Sequence, residues 1–138
     1  MEYKIIIKGE IDYPTIEYNE QDIAKYLTPY EIKKILPIEI EDEFVEYYDG
    51  KIKGLVEGYT HFELDEDSNQ FFAVCEYISK RKLSEQELLE LGEYTQGQWS
   101  DGIGEGFEQY PCTELYNCEI YISPWRNDQK LTISQIKI

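Results

Sequence analysis

The sequence has 138 residues, 41% of them hydrophobic, and a formal net charge of −16. This length suits a single domain whose core forms without a metal or disulfides, and an aromatic content of 14% argues against a disordered chain. The negative charge argues against direct binding to nucleic acid or to an anionic membrane, because like charges repel. We therefore predict one folded domain over residues 1–138 with a charged exterior.

The N-terminal part of the chain predicts one strand and two helices. Residues 3 to 8 alternate as a half-buried strand does, and residues 9 to 15 then predict a loop. An asparagine before residues 20 to 27 predicts a short helix there. A capping box that begins at Thr28, with proline at the first helical position and glutamate at the third, predicts a second helix that ends at Pro37.

The middle of the chain predicts three strands separated by turns. Residues 38 to 48 place apolar side chains mainly at even positions and glutamates at odd positions, which is typical of a half-buried strand. Residues 49–50 predict a tight turn. The next strand covers about residues 54 to 64, with its even-numbered residues facing the core, and residues 65–69 predict an acidic turn. Residues 70 to 80 are apolar on both faces, which predicts a central strand.

The C-terminal part begins with a second capping box at Ser84, which predicts a helix over residues 85 to 96 that stops at Gly97. Residues 116 to 123 and 130 to 138 each predict a strand. Together these elements predict an α+β fold, with a mainly antiparallel sheet of five or six strands and about three helices.

Unusual residues cluster at residues 97 to 109, which are Gly-Gln-Trp-Ser-Asp-Gly-Ile-Gly-Glu-Gly-Phe-Glu-Gln and include four of the nine glycines. The segment is not a phosphate loop, because it follows a helix and lacks the Gly-Lys-Ser/Thr ending. Trp99 supplies an apolar anchor, and Asp101, Glu105 and Glu108 supply carboxylates. Two interpretations are open for these acids. In the first, they bind a hard cation or act as acid and base in hydrolysis. In the second, they face water in a tight connection whose tryptophan fills the core.

The predicted helix and the Gly-Gln-Trp-Ser-Asp-Gly-x-Gly-Glu-Gly-Phe-Glu-Gln segment at residues 97 to 109 resemble a segment in small uncharacterised proteins of bacteria and their mobile elements. The resemblance covers about residues 70 to 112. It implies a biological context for the chain, and it implies no activity, cofactor or site residue.

Weaker candidates for chemistry lie elsewhere in the chain. Residues 65 to 76 match four ligand positions of a calcium loop, but Gln70 replaces the glycine that its sharp turn needs. His61, the single histidine, is interpreted as a surface residue. The three cysteines contain no Cys-x-x-Cys pair, which argues against a zinc site, and whether Cys112 and Cys118 pair stays open. We assign no catalytic residue, no metal ligand and no cofactor.

The strongest candidate is an acidic surface formed between residues 39 and 67, a stretch with eleven acidic residues and two lysines. Outward side chains on a strand lie about 6.6 Å apart, and a duplex strand carries a charge about every 3.4 Å, so a row of glutamates could imitate alternate phosphates. Nearby tyrosines supply contact area typical of interfaces. The alternative is a solvated face that keeps the protein soluble. The candidate partner-binding residues are Glu39, Glu41, Asp42, Glu43, Glu46, Tyr47, Tyr48, Asp49, Glu57, Tyr59 and Glu63.

These patterns predict a small acidic binding protein, an inhibitor or regulator that engages a basic partner such as a nuclease or another nucleic-acid-binding protein. The context implied by the resemblance favours an anti-restriction or anti-CRISPR role. A cytoplasmic location is expected, since the sequence lacks an apolar run of about eighteen residues and a basic leader. The alternatives are a metal-dependent hydrolase or ligand-binding protein that uses Asp101, Glu105 and Glu108, and a structural subunit whose partner covers the acidic surface.

Overall fold

The computed structural model describes residues 1–18, 23–35, 43–45, 52–101, 108–111 and 119–138. These residues form nine strands and two helices, and the strand pairs are antiparallel. The α+β class with mainly antiparallel strands is therefore confirmed. The described residues form nine strands in two sheets where one sheet of five or six was expected, and two helices where about three were expected. The strands are β1 (Tyr3–Ile11), β2 (Thr15–Tyr18), β3 (Ile23–Tyr26), β4 (Glu43–Val45), β5 (Leu55–Asp65), β6 (Gln70–Ser79), β7 (Glu108–Pro111), β8 (Glu119–Ile122) and β9 (Leu131–Lys137). The helices are α1 (Pro29–Ile35) and α2 (Glu85–Asp101).

Five strands form one sheet in the order β4-β5-β6-β1-β9. The strand β6 pairs with both β5 and β1, as its apolar composition predicts for a central strand. Ile5 and Ile7 of β1 are fully buried in the core, and we call the side of the sheet that carries them the inner face. The outer face carries the alternate residues of β1, including Lys4 and Lys8.

A second sheet has the order β3-β2-β8-β7. The loop predicted for residues 9 to 15 is shorter than expected, because β1 continues to Ile11 and β2 begins at Thr15. The helix predicted for residues 20 to 27 is wrong, because β3 lies there and pairs with β2. Leu27 N–H donates to the Pro14 carbonyl oxygen at 2.9 Å, just beyond the paired strands. Long-range pairing therefore outweighs the weak helix preference of so short a segment.

Both helices begin at the capping boxes that the sequence predicts. Before α1, Glu31 N–H donates to Thr28 Oγ1 at 3.3 Å, and Thr28 N–H donates to Glu31 Oε1 at 3.2 Å. Before α2, Glu87 N–H donates to Ser84 Oγ at 3.2 Å, and Ser84 N–H donates to Glu87 Oε1 at 3.0 Å. These bonds satisfy N–H groups that the first turn of a helix would otherwise leave unpaired.

The helix α2 continues past Gly97, so the predicted stop there is wrong. The helix ends at Asp101, and a Cβ added to Gly97 would meet no atom within 4 Å. Thr95 and Trp99 are 0% and 1% exposed, and their burial outweighs the roughly 1 kcal/mol that a glycine costs inside a helix. The local sequence predicts that the helix ends at Gly97, whereas the burial of side chains on both sides of Gly97 stabilises a longer helix.

A bulge in β5 reverses the predicted alternation at the start of this strand. The register against β6 shifts between Val56 and Tyr59, which inserts one extra residue on β5. Leu55 is consequently 4% exposed, and Val56 is 42% exposed, although strict alternation predicts that Val56 is buried. Beyond the bulge, Thr60 is buried as predicted.

Most of the remaining predictions agree with the described residues. Asn69 has a positive φ of 54° in the turn between β5 and β6, and β8 and β9 lie within the two predicted C-terminal strands. Of the strand predicted for residues 38 to 48, the structure describes only β4, and the predicted turn at residues 49–50 lies outside the described residues. Neither described helix is long and apolar enough to cross a membrane.

Arg81 ties the first turn of α2 to a neighbouring loop. Its two terminal nitrogens donate to the two carboxylate oxygens of Glu87, and its Nε donates to the Lys53 carbonyl oxygen at 2.8 Å. The hydrogen bond from Arg81 lowers the pKa of Glu87 to about 2. One carboxylate thus caps the helix and holds the guanidinium group.

Two glycine substitutions should have opposite effects on the free energy of unfolding, measured by urea denaturation. We expect Gly97→Ala to stabilise the fold by about 0.5–1 kcal/mol, because the position is helical and open. We expect Gly58→Ala to cost about 1–3 kcal/mol, because its Cβ would lie 2.7 Å from Cε1 of the buried Tyr77. A destabilising Gly97→Ala would show that this glycine ends the helix.

Removing the Glu87 carboxylate should lower the melting temperature in a pH-dependent way. The folded-state pKa lies below the ordinary value of 4.5, so the carboxylate stabilises the fold above that pH, and this contribution disappears as the pH falls through about 2. We expect Glu87→Gln to melt below the wild type at pH 7, with a difference that shrinks below pH 4.5. Glu90→Gln, on the same helix, is the matched control for the loss of one helix carboxylate, and a Glu87→Gln difference that does not change with pH would contradict the prediction.

Candidate binding face on the five-stranded sheet

The outer face of the five-stranded sheet lies on the side opposite to the two described helices. Ile32 of α1 and Trp99 of α2 belong to the core with inner-face residues of the sheet. The hydroxyl groups of Thr95 on α2 and Tyr77 on β6 are 2.8 Å apart on that same inner side. We call the outer-face side chains of β5, β6, β1 and β9 the open face. It comprises Lys4, Ile6, Lys8, Glu10, Val56, Tyr59, His61, Glu63, Asp65, Gln70, Phe72, Val74, Glu76, Ile78, Thr132, Ser134 and Ile136.

Charges of both signs lie on the open face. Lys8 Nζ is 3.8 Å from Glu63 Oε2, and Lys4 Nζ is 3.6 Å from Glu76 Oε1. His61 Nε2 lies 2.9 Å from Glu63 Oε1. These pairs are exposed to solvent, so each contributes about 0–1 kcal/mol. The lysines of β1 therefore offset part of the acidic charge of β5 and β6.

Exposed apolar side chains lie among these charges. Tyr59 and Val56 of β5 are 48% and 42% exposed, and Ile136 of β9 is 53% exposed. Val74 of β6 is only 2% exposed, although it lies on the outer face between His61 and Lys8 in the strand register. The open face thus mixes aromatic and aliphatic side chains with charged ones, and tyrosine is among the residues that are enriched at protein interfaces.

The acidic hairpin extends the open face at the far end of β5, and we define it as Glu63, Asp65, Glu66 and Asp67. The Asp67 N–H donates to Asp65 Oδ1 at 3.0 Å, which orients this carboxylate within the turn. Lys33 of α1 lies 3.3 Å from Glu66. Four acids are consequently concentrated at the end of β5 and in the turn after it, and Lys8 and Lys33 pair with two of them, Glu63 and Glu66.

The structure brings together two of the predicted partner-binding residues, because Tyr59 and Glu63 both lie on the open face. Glu43 and Glu57 are described by their backbone alone, and the register of β4 sets Phe44, not Glu43, opposite Tyr59. The other predicted residues of this set lie outside the described residues, namely Glu39, Glu41, Asp42, Glu46, Tyr47, Tyr48 and Asp49. Sequence analysis missed the β1 lysines, because only the sheet register shows that they reach these acids.

The glycine-rich segment is described only at its two ends. Asp101 is the last residue of α2 and Glu108 the first of β7, while Glu105 lies outside the described residues. Trp99 fills the core, as one of the two interpretations predicts, and its Nε1–H donates to Thr60 Oγ1 at 2.9 Å. Within the described chain no three His, Cys, Asp or Glu side chains are grouped to hold a metal ion.

Cys75 lies in the core beside these buried hydrogen bonds. Burial raises the pKa of its thiol to about 12, so the reactive thiolate form is scarce at neutral pH. Cys112 and Cys118 lie outside the described residues. We therefore treat Cys75 as a packing residue.

Thr60→Val should destabilise the protein by about 1–3 kcal/mol, because it leaves the buried Trp99 N–H without an acceptor. The free energy of unfolding can be measured in a double-mutant cycle with Trp99→Phe, which removes the donor. We expect the Thr60→Val change to cost much less in the Trp99→Phe background. Equal costs in the two backgrounds would refute a stabilising bond between these residues.

Comparisons with known proteins identify no family and no function for this chain. The chain matches no protein-family model, no curated protein and no solved structure.

Proposed function

We propose that this protein is an acidic binding protein that engages a basic protein partner through the open face and the acidic hairpin. The observation that carries the proposal is the exposure of Tyr59, 48% of its surface, on a strand that continues into four clustered acids. Tyrosine is enriched at interfaces because it combines a large apolar area with a polar end. The net charge of −16 favours a partner of opposite sign.

Two kinds of interaction would contribute to binding in different ways. Successive outward residues of β5 beyond the bulge, Tyr59, His61, Glu63 and Asp65, are spaced about 6.6 Å apart. The two acids would attract lysines and arginines and speed the encounter, whereas the apolar contact of Tyr59 would slow dissociation. The lysine pairing of Glu63 is exposed and weak, so a partner's cation can replace it at little cost.

The more specific form of this proposal is inhibition of a nuclease in an anti-restriction or anti-CRISPR role. Its support is the resemblance of residues 97 to 109 to a segment in small uncharacterised proteins of bacteria and their mobile elements. The outward acids Glu63 and Asp65, about 6.6 Å apart, also have a spacing close to twice the 3.4 Å charge spacing of a duplex strand. A basic nucleic-acid groove is the surface that such a row would occupy. Inhibition of DNA cleavage by purified nucleases would test this specific form separately from binding.

Tyr59→Ala should weaken binding to the basic partner about tenfold or more, as removal of an interface hot spot does. The partner is first captured on the immobilised protein at low salt, then purified, and its Kd is measured by calorimetry. Tyr26→Ala is the matched control, because Tyr26 is also well exposed, at 62%, but lies on the other sheet. Raising the salt concentration should also weaken binding to the wild type, since added ions screen the charges.

Equal losses of affinity in the Tyr59→Ala and Tyr26→Ala variants would show that the open face is not the specific interface. Binding that does not change with salt would refute the electrostatic part of the proposal. Melting temperatures of all variants would show whether any loss comes from unfolding.

A further inference from the structure

His61 is the single histidine of the chain, and its side chain lies on the open face beside Glu63. His61 Nε2 is 2.9 Å from Glu63 Oε1. The other oxygen of this carboxylate, Oε2, is 3.8 Å from Lys8 Nζ. The side chains of His61 and Glu63 are 34% and 48% exposed, so a partner can reach both. Glu63 is therefore shared between an ammonium group and an imidazole that becomes positively charged on protonation.

The strand register places these three groups together. His61 of β5, Val74 of β6 and Lys8 of β1 lie in one row across the sheet. Glu63 follows His61 by two residues on the same face, and its carboxylate contacts the charged groups at both ends of this row. Lys8 Nζ also lies 4.5 Å from the centre of the Phe72 ring, which keeps the ammonium group on the open face.

The other titratable or charged groups near His61 come from three of the described strands. They are Tyr59, Glu63 and Asp65 on β5, Glu76 on β6, and Lys8 on β1. Glu76 pairs with Lys4 at 3.6 Å, and on the β4 side Asp42 lies outside the described residues. Aspartate, glutamate, tyrosine and lysine side chains ordinarily titrate outside roughly pH 5 to 8, whereas histidine changes its charge within that range. In this group of side chains, His61 is therefore the one that responds to a change around neutral pH.

Protonation of His61 changes the local charge. The charges of a neutral His61, the Glu63 carboxylate and the Lys8 ammonium sum to zero, and protonation of His61 adds one positive charge. A lysine or arginine of a partner that approaches Glu63 would then meet this charge at about 6.6 Å, the spacing of outward residues on a strand. Near a protein surface, such repulsion weakens binding about threefold to tenfold.

We propose that His61 makes the binding of a basic partner to the open face depend on pH, with stronger binding above about pH 7 than below about pH 6. The inference rests on the function proposed above, because it concerns the regulation of the same face. The partner's cation and the proton on His61 compete for one carboxylate. By linkage, binding of the cation at Glu63 therefore favours release of the proton from His61.

An N-acetylated peptide of eight lysines is the probe for the basic partner, because lysine side chains ordinarily keep their charge from roughly pH 5 to 8. Calorimetry at one low salt concentration measures its Kd for the wild-type protein at about pH 7.5 and about pH 5.5. We expect the wild-type affinity to be about threefold to tenfold weaker at the lower pH.

The matched variants are His61→Gln, which keeps the position neutral, and His61→Lys, which keeps it positively charged. We expect the ratio of the two Kd values to approach one in both variants, and His61→Lys to bind more weakly than His61→Gln at either pH. Lys25→Gln is the control for a change of net charge, because Lys25 is exposed on β3 of the other sheet. It should keep the wild-type ratio, and thermal melts at both pH values show whether each variant is folded.

NMR spectra locate the effect in the protein. Addition of the lysine peptide at about pH 6.5 should move the ring signals of His61 toward those of the neutral imidazole, and the amide signals of β5 around Glu63 should also shift.

A wild-type Kd that is equal at the two pH values, or a ratio that persists in His61→Gln, would overturn the inference alone if the peptide still shifts the β5 signals. Peptide binding that leaves the β5 signals unchanged would contradict both the inference and the proposed binding face.

Discussion

The packing of α2 against the inner face of the five-stranded sheet sets the arrangement of the core. Two buried hydrogen bonds hold it, from Trp99 to Thr60 and between Thr95 and Tyr77. Trp99 and Thr95 lie four residues apart, so both project from one side of the helix onto neighbouring strands. Unpaired polar groups at these depths would cost free energy, which restricts the helix to this position.

The side of the five-stranded sheet opposite α2 has a mixed chemistry among the described residues. Its open face presents Tyr59 and Val56 beside charges of both signs. The lysines of β1 pair with acids of β5 and β6 across this face, so the strong negative charge of the chain is partly offset there.

Local signals predicted the elements whose stabilising contacts are local. The capping boxes at Thr28 and Ser84 are correct, because each closes through bonds within four residues. The predictions that failed depended on distant contacts. Residues 20 to 27 include a strand because β2 pairs with it, Gly97 stays helical because Trp99 is anchored beyond it, and Val56 faces outward because a bulge lies next to it.

Composition and short-range periodicity were sufficient to predict the α+β class, the starts of the helices, the central place of β6 and the negative charge. They also identified Tyr59 and Glu63 as candidate binding residues. The contact of Lys8 with Glu63 across β6, and the place of β9 at a sheet edge beside α2, became visible in the three-dimensional structure alone. Those placements depend on the register and order of strands that are far apart in the chain. Long-range strand pairing and core burial select this register and order, and no local pattern encodes them.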